Sequence, residues 1–197
     1  MSYKELLSAF AILLTVVAFI PYIRSIRRGR TKPHVFSWVI WSATTFIVFL
    51  AQLADGGGAG AWPIGISGII TMYVALLAYY HKSDHMITRS DWLFFIVAMS
   101  SLPFWYFTDD PLWAVMILTT VDMIGFAPTI RKAYVYPFQE QLVFFILMAL
   151  RSVIAIGALE HYSLTTVLFP AMIAAACTLF INIVIYRRKL LAAKQIQ

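Results

Sequence analysis

The sequence predicts an all-α integral membrane protein, and three observations carry that expectation: composition, the spacing of apolar runs and the placement of positive charge. Hydrophobic residues fill 61% of the 197 positions and charged residues 12%. A soluble domain carries about 25% charged residues, so the solvent around most of this chain is expected to be lipid. Runs of the length a bilayer helix needs, about 17–25 residues, recur near 5–26, 35–53, 61–80, 91–108, 111–130, 139–159 and 163–186. Thirteen of the fifteen Lys and Arg residues follow the first, third, fifth and seventh runs, while Lys4 stands at the opposite end and Arg151 inside a run. Seven spans put those four basic segments on one side of the membrane. The positive-inside rule makes that side cytoplasmic, with the N-terminus outside. A net charge of +6 gathered at helix ends points to a lipid bilayer as partner and not to nucleic acid.

Each run has its own justification. The first ends in Arg24, Arg27 and Arg28 without a small-x-small cleavage site, so a retained anchor is expected and not a secretory signal. The second carries Trp38, Trp41, Thr44, Thr45 and Gln52 among apolar residues, and Asp55-Gly56-Gly57-Gly58 closes it as a turn. No Gly-Lys-Ser follows those glycines, so they are not a phosphate loop. The third has a small and polar stripe of Ser67, Gly68 and Thr71. The fourth is short and holds Pro103, yet removing it would strand Trp92, Leu93, Phe94, Phe95 and Ile96 in water and scramble the charge partition. The fifth and sixth hold Asp122 and Arg151. The seventh holds Cys177, the one cysteine, which has no disulfide partner.

A shift of 107 residues lays the first three runs on the last three without a gap. Ten identities then align, among them Phe19 with Phe126, Pro21 with Pro128, Ile23 with Ile130, Arg24 with Arg131, Pro63 with Pro170 and Thr71 with Thr178. Two lipid-soluble sequences share many residues by composition alone, so the weight falls on the two proline pairs, proline being the least interchangeable residue in a helix. Three spans per repeat and one between them restore parallel orientation. The expected architecture is therefore two parallel three-helix bundles, residues 1–80 and 111–187, joined through a loop and linker helix 4 at 81–110 and followed by a cytoplasmic tail at 188–197.

This 3+1+3 plan, with Pro21 and Pro128 near the cytoplasmic ends of the first and fifth helices and a basic segment after each, resembles the SWEET and PQ-loop superfamily of small membrane transporters. Thr31-Lys32 and Ser37 are similar to that family's loop and second-helix start. Where the family writes Pro-Gln, this chain has Pro21-Tyr22 and Pro128-Thr129, which makes it a divergent member of such a group. The resemblance implies a transporter with a cavity between the triplets. The family's sugar-binding Asn would fall on Gly68 and Ala175, and its Trp near Ala51 and Ala158, so the sugar pocket does not carry over.

Candidate site residues follow from what needs a reason inside a membrane. A charge at mid-depth costs at least about 2.5–3.5 kcal/mol and so faces protein or water. The depths of Asp122 and Arg151 suit an ion pair, either a gated or proton-sensitive element beside a solute or a static bridge between helices. Thr119, Asp122, Gly125 and Thr129 make one polar stripe at helical period. Thr71, Thr178 and Asn182 are candidates to line a polar cavity, and Trp41 to offer a stacking face. Pro21 and Pro128 are either gate hinges or simple helix terminators. His81 and His85 have a metal-compatible spacing near Asp84 but fall in a loop, and His34 and His161 read as solvated, so no metal is expected. Without paired carboxylates or a nucleophile beside a base, neither an enzyme nor a cofactor is expected. Transport of a small polar solute through an interbundle cavity is the expected function, with a non-transporting receptor or assembly module as the alternative. A homo-oligomer is compatible with either.

Overall fold

The structure, a computed structural model, describes residues 2–29, 35–81, 89–135, 137–140 and 142–194. Among them every regular element is helical: α1 (Tyr3–Arg27), α2 (Val35–Ala54), α3 (Trp62–Tyr80), α4 (Arg89–Thr108), α5 (Pro111–Val135), α6 (Leu142–Gly157) and α7 (Leu164–Lys194), with 3-10 turns at Gly58–Ala61 and Pro137–Gln139. Local chemistry sets the starts. Ser2 and Glu5 form a reciprocal capping box before α1, Asp110 Oδ1 accepts from Leu112 N at 2.9 Å before α5, and Ser163 and Thr166 cap one another at the head of α7. Such caps satisfy donors that the helix itself leaves open. Pro63 lies in the first turn of α3, where its missing N–H costs nothing. Pro21 sits inside α1, which runs on to Arg27, so this proline does not terminate its helix. The backbone of α5 likewise runs through 128.

Three stretches are long and apolar enough to cross a membrane: Tyr3–Arg27, Gly58–Tyr80 and Leu164–Ala193. The remaining helices contain shorter apolar stretches, Trp38–Ala54, Phe95–Thr108, Pro111–Phe126 and Leu142–Gly157. Large apolar side chains point outward around the molecule, including Tyr106 at 83% and Phe107 at 82% exposure. Water would penalise that surface and lipid would not.

Packing repeats itself. Both α1 and α2 pack on α3, and both α5 and α6 pack on α7. Between these two triplets, α1 meets α6 and α2 meets α5, while α4 lies on α5 and α2. The sequence shift of 107 also maps one apolar core onto the other. Phe19, Ile23, Ile26, Trp38 and Leu77 pack in the first triplet, and their shifted counterparts Phe126, Ile130, Ala133, Phe145 and Val184 pack in the second. Even ring geometry recurs: Phe19 meets Trp38 edge-on at 6.4 Å and 71°, and Phe126 meets Phe145 edge-on at 6.0 Å and 70°. Thr71 and Thr178 make the same bond to the carbonyl four residues back, to Ser67 at 2.7 Å and Ala174 at 2.8 Å. Two of the ten identities, Phe19 with Phe126 and Ile23 with Ile130, fall in these matched cores, and at the other three core positions apolar character is kept while the residue changes.

Candidate solute-binding seam

Two faces meet between the triplets, and polar residues interrupt both. On the α2–α5 face, Thr44 is fully buried and directs its hydroxyl toward the Trp41 carbonyl at 3.0 Å and Asp122 Oδ1 at 3.3 Å. A β-carbon at Gly125, one turn beyond Asp122, would stand at an ordinary contact distance of 3.7 Å from the Trp41 indole nitrogen, which places Trp41 against this face of α5. Thr119, one turn the other way, is 4% exposed, and its hydroxyl has no partner among the described residues. The stripe expected from sequence thus faces α2 at Asp122 and Gly125. Asp122 itself is half-buried.

Arg151 lies on α6, 3% exposed. Its Nη1 donates across the triplet boundary to the Pro63 carbonyl of α3 at 3.3 Å, and its Nε has no partner among the described residues. Cys177 of α7 lies near the guanidinium. The depth match between Asp122 and Arg151 does not make a pair: among the described residues no ion pair joins them, and each bonds to a neutral group on the other triplet. Depth follows from counting turns, whereas azimuth depends on neighbours, and that is why the sequence pairs them and the packing does not. The shift of 107 carries Thr44 to Arg151 and Thr15 to Asp122. Thr15, fully buried, bonds to Ala11 O at 2.8 Å.

The other candidates stand apart from Asp122. Thr71 is buried and bonded within α3. Thr178 and Asn182 lie on an exposed face of α7, where Thr178 bonds to Ala174 O and Asn182 Nδ2 to Thr178 O at 2.9 Å. Trp41 packs edge-on to Trp38 at 5.4 Å, and Trp38 stacks on Tyr22, the residue after Pro21. The side chains of Pro128, Thr129, Arg131 and Ser37, and the residues Thr31, Lys32, His34, Asp84 and His85, lie outside the described set.

Sequence reasoning missed a clasp. At the end of the molecule holding the N-terminus, the α2–α3 connection and the α6–α7 connection interlock. Ser163 Oγ donates to the Asp55 carboxylate, His161 Nδ1 lies 2.9 Å from Asp55 O, Ala59 N donates to Glu160 Oε1 at 3.2 Å and Glu160 N to Gly57 O at 3.2 Å. Lys4 Nζ reaches Leu159 O at 2.6 Å and Ser8 Oγ reaches Ala59 O at 2.6 Å. Below this layer Gln52, fully buried, donates to Thr166 O at 2.6 Å. The signal was present in Asp55-Gly56-Gly57-Gly58, a connection compact enough to admit a second loop. Beneath the clasp, Val48, Phe49 and Ala51 of α2, Val115 and Leu118 of α5 and Phe169 of α7 share one apolar cluster. A cavity of about 460 Å³ opens beside the clasp, against Glu5, Ser8, Trp62 and Glu160, and not on the α2–α5 face. No protein-family model, curated protein or solved structure matches the chain.

Proposed function

We propose that the chain crosses the membrane seven times as two parallel triplets joined by α4, and that it carries a small polar solute along the seam between them. The observation that carries this reading is the contact of Thr44 with Asp122 across α2 and α5, with Arg151 at the repeat-related position on α6. Charges this costly to bury are retained where they act on something, and the first triplet packs the same core with threonines in their places. The exchange of partners, α1 with α6 and α2 with α5, supports a two-fold relation about an axis along the membrane normal, as parallel-repeat transporters use. It also suits the SWEET and PQ-loop plan. The basic ends of the odd-numbered helices favour an outside N-terminus.

In this reading the clasp and the apolar cluster beneath it close the outer end, and solute reaches Asp122 from the cytoplasmic side. Pro21, inside a continuous α1 and next to the Tyr22–Trp38 stack, bends the helix where the inner gate would move, and Pro128 occupies the matching place in α5. Trp41 offers a ring face beside Asp122. Thr71, Thr178 and Asn182 join the pathway only in a conformer with rotated triplets. The apolar cluster filling the outer part of the seam favours the second reading, a non-transporting module in which both charges serve assembly.

Uptake into liposomes by purified protein separates the two. A panel of sugars, amino acids and vitamins should contain at least one transported solute, with Asp122→Asn lowering its rate roughly tenfold or more while the protein stays folded. Absence of uptake for the whole panel, with no thermal stabilisation by any member, rejects transport.

A further inference from the structure

Asp122 and Arg151 are opposite charges at one seam, approached from opposite sides, and neither is neutralised. Asp122 accepts one hydrogen bond from Thr44, and its second oxygen has no partner among the described residues. Arg151 donates one bond to a carbonyl and holds a buried Nε without a partner. Both bonds cross from the second triplet to the first, so both side chains face the space where the triplets meet. The repeat sharpens the point. At the four related positions the first triplet supplies Thr15 and Thr44 and the second supplies an acid and a base, so neither charge is required to fold a triplet.

We infer that the solute is dipolar, a small molecule carrying both an ammonium and a carboxylate, with the ammonium toward Asp122 and the carboxylate toward Arg151. This rests on the transport reading above. A neutral polyol leaves two buried charges uncompensated, and a simple cation or anion leaves one. A zwitterion compensates both without importing net charge into a low-dielectric site. A carboxylate also matches the guanidinium fork, whose Nε and Nη protons suit two oxygens at once. Movement of the triplets that brought Asp122 and Arg151 within reach of one another would let the empty carrier pair its own charges, and the dipolar solute would compete with that pair.

The experiment compares matched three-carbon ligands, then extends the same scheme to larger side chains. Alanine carries both charges, lactate the negative one, alaninamide the positive one and lactamide neither. Thermal stabilisation of the purified full-length protein and liposome counterflow are read together. The zwitterion series is expected to stabilise and exchange at least roughly tenfold better than its matched analogues. Asp122→Asn should move preference toward the hydroxy-acid form, and Arg151→Gln toward the amide. Asp122→Glu and Arg151→Lys, which keep the sign of each charge, should restore zwitterion preference relative to the neutral variants and serve as the references should either neutral variant fail to fold. Binding and exchange of a sugar or polyol with equal strength in wild type, Asp122→Asn and Arg151→Gln overturns the dipolar assignment and leaves transport standing. Silence from every series, with no stabilisation, overturns transport itself.

Discussion

The two ends of the molecule are held differently. At the end bearing the N-terminus, polar bonds run between triplets: Asp55 with Ser163, Glu160 with Ala59 and Gly57, Lys4 with Leu159. At the basic end three of the described arginines, Arg27, Arg187 and Arg188, bond inside their own triplet. Arg27 reaches Tyr73 of α3 from α1, Arg187 reaches Tyr134 O at 2.8 Å and stands over that ring, and Arg188 holds Pro137 O and Glu140 O. Toward that end a described contact between triplets is aromatic, Phe19 edge-on to Phe144 at 5.6 Å. Directional bonds resist separation, whereas apolar contacts can slide. Among the described residues, directional bonds between the triplets gather at the clasp end, so that is the end where separation costs most.

Changes at the clasp should therefore matter most. A β-carbon at Gly60 would stand 2.6 Å from the Leu159 nitrogen and 2.7 Å from its Cα, and backbone cannot yield as a side chain can. Gly60→Val is expected to cost about 1–3 kcal/mol, read as a lowered melting temperature, and to expose a cysteine placed at Gln52 to thiol reagents from the clasp side. An unchanged melting temperature would show that the loops do not touch. Asp55→Ala removes the acceptor for Ser163 and the carboxylate beside His161, and should cost about 1–2 kcal/mol with the same gain in labelling. Lys4→Met, which deletes the bond to Leu159 O, should cost about 0.5–1.5 kcal/mol. Arg187→Ala should cost least, about 0.5–1 kcal/mol, and leave labelling at the clasp untouched. Labelling gained in Arg187→Ala but not in Asp55→Ala would reverse the comparison.

Helices were legible because their outward and packed faces are both apolar, so hydropathy marks each element. The fourth run, doubtful for its length and Pro103, forms α4 at Arg89–Thr108. Boundaries slip where hydropathy stops reporting: α7 continues past Tyr186 through Arg187–Lys194, and α6 begins at Leu142 after a 3-10 turn at Pro137–Gln139. The repeat was legible as scattered identities, two of which, Phe19 with Phe126 and Ile23 with Ile130, fall at matching places in the two triplet cores. Asp122 and Trp41 were each legible as candidates, because a charge or an indole within an apolar run needs a reason, but their meeting across α2 and α5 was not. The partner of Arg151 was not, since a carbonyl on α3 leaves no mark in sequence. Nor was the clasp, where Asp55 meets Ser163 across 108 residues through loop backbone that carries no periodic pattern.

The place of α4 has a genetic consequence. It rests on α5 and α2 and makes no direct tie between α1 or α3 and α6 or α7 among the element contacts described, so continuity of the polypeptide between Tyr80 and Arg89 adds little to how the halves recognise one another. Two separately translated fragments, 1–81 and 89–197, should find each other in one bilayer and rebuild the protein.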